Sequence, residues 1–110
     1  MTTITAHGPY ATLINVFTVE PGRAAELARL LAEATDAVMR HVPGFVSANI
    51  HVSTDGTRVV NYAQWETPDA YHAMLKNPAA RGHMETCAAL ATSFDPHLYT
   101  VESVHQRQAH

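Results

Sequence analysis

The sequence predicts an α+β domain in which helices cover one face of an antiparallel sheet. Three observations predict it. Phe45 to Val52 and Thr57 to Trp65, both rich in β-branched, aromatic and small residues, flank Ser53-Thr54-Asp55-Gly56, and an Asp-Gly pair between such runs is a strong hairpin signal. Arg23 to His41 and Pro78 to Ala91 have helical composition. A doubly wound sheet would need repeated parallel βαβ units, and this pattern does not supply them.

The elements follow in order. Tyr10 to Glu20 (YATLINVFTVE) is dense in strand formers and stops at Pro21-Gly22, giving a first strand. Leu27, Leu30, Leu31, Ala34 and Val38 then share one helical face, so a first helix runs from Arg23 to His41 and ends near Pro43-Gly44. After the hairpin, Thr67 is placed to cap a short helix that has Pro68 in its first turn and runs over Ala70 to Lys76. Asn77-Pro78 breaks it. Pro78 to Ala91 forms another helix, and after Asp95-Pro96 the alternating run Leu98 to Val104 gives a last strand. The order β-α-β-β-α-α-β is that of a ferredoxin-like antiparallel sheet with helices on one face. Residues 1–110 form a single domain, with an ordered core over about 10–105 and a polar tail from His105.

Composition narrows the function. Hydrophobic residues make up 46% and charged residues 15%, which fits a globular protein with an apolar interior. Seven Lys plus Arg are scattered among ten Asp plus Glu, so there is no electrostatic footprint for nucleic acid. The first nine residues lack a secretory signal pattern and no run is long and apolar enough for a membrane span, so a cytoplasmic location without membrane contact is expected. Cys87 stands alone, which excludes an intrachain disulfide and reads as a small buried thiol. The eight histidines show neither HxH nor HExxH spacing, so no metal site is expected.

The period of two places Val59, Asn61, Ala63 and Trp65 on one face of the third strand. The same rule puts Phe45, Ser47, Asn49 and His51 together on the second, making a patch of amide, indole and imidazole available. Trp65 and Tyr71 read equally well as packing aromatics. Asn61 is harder to read as packing, because Asn is depleted in strands and a buried amide is costly unless paired.

The stretch Val42 to Tyr71 (VPGFVSANIHVSTDGTRVVNYAQWETPDAY), and above all STDGTRVVNYAQWE within it, resembles the antibiotic biosynthesis monooxygenase family. The likeness is greatest to its quinone-forming members from actinorhodin-type polyketide pathways. The resemblance implies a dimeric α+β barrel, built as a homodimer, that oxidises an anthrone-like phenol to a quinone with O2 and no metal, flavin or haem. It implies catalytic roles for Asn61, Trp65 and Tyr71 and a substrate-binding role for His51. Those relatives carry an arginine in the helix after the Asn-Pro break, where this chain has Met84. Arg81, one turn earlier, is the substitute candidate for substrate binding.

A second resemblance points to haem as cofactor. NVFTVEPG with Asn15 and NPAARGH with His83 resemble the haem-degrading monooxygenases of the same barrel fold, which implies His83 as an iron ligand. Met74 stands where that family has a tryptophan. A third alternative is a non-catalytic aromatic-binding module, or a cyclase, on the same fold.

Overall fold

The computed structural model describes residues 1–108. Its elements are β1 (Ala11–Thr18), α1 (Ala24–Ala37), a 3-10 turn (Met39–His41), β2 (Phe45–Val52), β3 (Arg58–Trp65), α2 (Pro68–Leu75), α3 (Pro78–Ala89) and β4 (Ser93–Tyr99). The strands form one antiparallel sheet in the order β2-β3-β1-β4. This is the ferredoxin-like α+β arrangement, and β1 and β3 lie at its centre.

Local chemistry explains the helix starts. Thr67 Oγ1 accepts from the Ala70 N–H at 3.1 Å, and Pro68 occupies the first turn, where it has no amide hydrogen to leave unpaired. Asn77 does more than break the chain, because its Oδ1 accepts from the N–H groups of Ala79 and Ala80 and so starts α3. Helix α1 ends four residues earlier than the sequence pattern suggests. At Val38 the backbone leaves helical geometry, and a 3-10 turn carries the chain toward β2.

Two features of the sheet differ from expectation. The last strand is Ser93–Tyr99, five residues before the predicted start at Leu98, because Ser93 already pairs with Thr18 on β1. Pro96 disguised it. An edge strand tolerates proline, since one of its sides makes no ladder hydrogen bonds. The second difference is a β-bulge between Phe45 and Ser47, after which Ala48 pairs with Ala63, Ile50 with Asn61 and His51 with Val60. A one-residue insertion exchanges the faces of every later side chain.

The helices pack on the face carrying Leu13, Phe17, Val59, Ala63 and Trp65. Leu27 of α1 and Val59 are fully buried in one half of this core, while Trp65, Tyr71 and Met74 lie in the other. Gly44 is needed where β2 begins. Its φ is +87°, and a Cβ there would stand 2.4 Å from the Ala70 Cβ, so only glycine lets α2 approach the strand.

Candidate active site

A cavity of about 350 Å³ lies between the sheet and the helices. Its walls are largely apolar, with Leu13 and Phe17 from β1, Leu31 from α1, Met74 from α2 and Met84 from α3. The polar groups entering it are few: Asn15 from β1, Thr35 from α1, whose hydroxyl donates to the Leu31 carbonyl, Asn61 and Trp65 from β3, Tyr71 from α2, and His83 and Glu85 from α3.

The sheet positions the amides and the indole. Asn61, Ala63 and Trp65 alternate onto the helix-covered face of β3, with the small Ala63 leaving space between the polar pair. Asn15 is the cross-strand partner of Asn61, so two amides stand side by side on the cavity floor. Asn15 Oδ1 is occupied, accepting from the Asp95 N–H at 3.2 Å. Asn61 Oδ1 and Trp65 Nε1 are buried and have no partner. Among the other described residues, buried side-chain nitrogen and oxygen atoms have partners. Gln64, on the opposite face of the same strand, accepts from Ser47 Oγ at 2.8 Å and donates to the Thr3 carbonyl at 2.8 Å.

Trp65 is held rigidly. It is 2% exposed, meets the Phe45 ring edge-on at 5.6 Å and lies 6.3 Å from Tyr71. Tyr71 is buried too, and burial pushes its phenol up from the ordinary value of 10.0, so near neutrality the hydroxyl stays protonated. Burial also pushes the Cys87 thiol up, holding it in the uncharged form.

The structure brings Asn61, Trp65 and Tyr71 into one cavity, together with Asn15 and His83. It does not bring His51 there. The bulge in β2 turns His51 to the opposite face of the sheet, where it is exposed and its Nδ1 lies 3.1 Å from the Asn49 carbonyl oxygen. Arg81 also stays out, because it lies on the exposed side of α3 while Met84, Cys87 and Ala88 line the cavity. Arg81 therefore does not fill the place of an arginine at Met84. The sequence reading missed Phe45 as the wall behind Trp65 and Cys87 as a cavity residue. The 3.6-residue period running from Ala80 through Met84 to Cys87 is the signal that marks the latter. Among the described residues no three His, Cys, Asp or Glu side chains gather into a metal site, and no helix is long and apolar enough to cross a membrane.

The arrangement can hold a planar apolar ring system and present hydrogen-bonding groups to oxygen atoms on it. Comparison with known proteins agrees. A family model described as antibiotic biosynthesis monooxygenase matches residues 11–86. Tetracenomycin-F1 monooxygenase of Streptomyces glaucescens is 42% identical over 91 residues, covering 83% of this chain and 81% of that protein. Among solved structures, the ActVA-Orf6 monooxygenase of Streptomyces coelicolor, in complex with nanaomycin D, superposes with a TM-score of 0.73 at 32% identity, covering 89% of this chain and 92% of that one. SnoaB of Streptomyces nogalater, described as a cofactor-independent oxygenase, does so with a TM-score of 0.74 at 26% identity, covering 88% and 97%. On these grounds the chain is a monooxygenase and belongs to the antibiotic biosynthesis monooxygenase family.

Proposed function

We propose that this protein oxidises an anthrone-like polycyclic phenol, a polyketide, to a quinone, with O2 as co-substrate and no bound cofactor. One observation carries the reading: the unpartnered Trp65 N–H donor and Asn61 Oδ1 acceptor in a largely apolar cavity. Leaving a buried polar group unpaired costs about 1–3 kcal/mol, and a hydroxylated aromatic substrate, whose oxygen can accept from Trp65 Nε1 and whose O–H can donate to Asn61 Oδ1, would recover that cost on binding. Support also comes from the relatives, one named for tetracenomycin F1 and one bound to nanaomycin D.

The chemistry suits so sparse a site. An electron-rich phenol already carries the electrons that O2 requires, so the protein must chiefly form and hold its anion. The Trp65 N–H, the Tyr71 hydroxyl and the NH2 end of the Asn61 amide donate hydrogen bonds to the developing oxyanion. The Leu, Met and Phe walls keep water away, which strengthens those bonds.

Purified protein should be colourless, consume O2, and convert 1,8-dihydroxyanthrone to its quinone faster than the uncatalysed background. A chain that binds the anthrone without taking up O2 would be a binding or cyclase module, and the reading would fail.

We extend the proposal to assembly as a homodimer. Ile14, Val16, Val60 and Tyr62 form a half-exposed apolar band on the sheet face without helices, and a second copy laid on that face would close it into a barrel. A haem reading has one observation in its favour, since Asn15 and His83 both line the cavity. It requires a Soret shift on haem titration that disappears in His83→Ala.

A further inference from the structure

The reaction proposed above needs a group that takes a proton from the substrate, and the cavity holds four ionisable side chains: Tyr71, His83, Glu85 and Cys87. Burial holds Tyr71 and Cys87 neutral, which makes them donors and poor acceptors. Glu85 is exposed, at the rim, where water competes for its carboxylate. His83 is half-buried on the α3 face that also carries Ala80, Met84 and Cys87. Among the described residues its ring makes no hydrogen bond, whereas His51 meets the Asn49 carbonyl and His97 the Asp95 carboxylate. An imidazole with both nitrogens unengaged is free to accept a proton.

We propose that His83 is the proton acceptor of the oxidation, working across the cavity from the oxyanion donors Asn61 and Trp65. The inference rests on the anthrone-oxidising reading. The imidazole takes the O–H proton of the enol tautomer, in which the former methylene carbon keeps one hydrogen, leaving an enolate and an imidazolium. The enolate forms a C–O bond to O2 at that carbon, and the imidazolium returns its proton to the terminal peroxide oxygen, so the base is regenerated. Loss of the remaining C–H hydrogen as the O–O bond breaks leaves one oxygen atom as the quinone carbonyl and releases the other as water, four electrons passing from carbon to O2. The groups that line the cavity with His83 include Glu85 and Cys87 on its own helix, Tyr71 and Met74 of α2, Asn15 of β1, Asn61 of β3, and Phe94 and Pro96 of β4. Glu85 is the only carboxylate among them, and the Asp95 carboxylate is engaged by His97.

The test uses the full chain, 1,8-dihydroxyanthrone as probe, and the His83→Gln and His83→Ala variants checked for fold by circular dichroism. O2 uptake is followed across pH, and binding is read from quenching of Trp65, the single tryptophan. The expected result is a kcat lower by about 10²–10⁴-fold with anthrone affinity within threefold of wild type. The wild-type rate should fall as pH is lowered, and the variants should lack that limb. Added imidazole should partly restore His83→Ala, and both variants should approach wild type at a pH where the phenol ionises unaided. If the variants keep wild-type kcat or the acidic limb, or lose only affinity, the assignment to His83 is overturned while the oxidation stands. Absence of O2 uptake by the wild type would overturn both.

Discussion

At the residue scale, Asn61 and Trp65 separate a functional role from a packing role. A core residue removed from its contacts costs stability. Asn61 Oδ1 has no contact of that kind to lose, because it is buried without a partner. Asn61→Ala should therefore leave the melting temperature unchanged or raised while slowing O2 uptake by about 10²-fold, the usual loss on removing one oxyanion donor. Calorimetry and an oxygen electrode on the same preparation check this, and a parallel loss of both would mark Asn61 as structural. Trp65→Phe keeps an aromatic against Phe45 and removes the N–H, so its kcat should fall by a similar factor with anthrone affinity reduced less. Sequence reasoning found both residues by strand alternation and family likeness. It assigned His51 to the same patch and missed, because alternation cannot detect an inserted residue.

At the element scale, the bulge in β2 and the glycine beside it shape the site. Gly44→Ala adds a Cβ where the left-handed φ and the 2.4 Å approach to Ala70 leave no room. The backbone strain alone amounts to about 1–3 kcal/mol. Urea unfolding should show a lower midpoint, and Gly44→Ala combined with Ala70→Gly should recover the part due to the clash and leave the part due to φ. The hairpin turn carries a pH signature. Hydrogen bonds from the Thr57 and Ser53 hydroxyls, then the Thr57 N–H, lower Asp55 from the ordinary 3.8 to about 2. A lowered carboxylate favours the folded state above its unfolded value, and that contribution fades as pH falls from about 4 through about 2. Asp55→Asn should accordingly be less stable than wild type at neutral pH, and thermal melts should show the gap closing in that acidic window.

At the scale of the whole molecule, the sheet has two unlike faces. One carries the helices and the cavity, and the other exposes the band of Ile14, Val16, Val60 and Tyr62. A small domain gains stability by covering such a face with a second copy. Light scattering should report twice the chain mass, and Val16→Lys with Val60→Glu, which place charge in the band without touching the cavity lining, should give a monomer. A wild-type monomer at micromolar concentration would overturn the homodimer.

The sequence by itself determined the element order, the hairpin, the helix cap at Thr67, the break at Asn77-Pro78, and the common face of Asn61 and Trp65. Each of these depends on neighbours within a few residues, so local periodicity and capping chemistry suffice. Only the tertiary structure decided that β4 begins at Ser93, that the β2 bulge turns His51 away, that Arg81 misses the cavity, and that Asn15 stands beside Asn61 with His83 in the same cavity. These are relations between strands and helices far apart in the chain, fixed by pairing register and packing rather than by local pattern. The unpartnered Trp65 N–H and Asn61 Oδ1 belong to the same class, because whether a polar atom is satisfied depends on everything that packs around it.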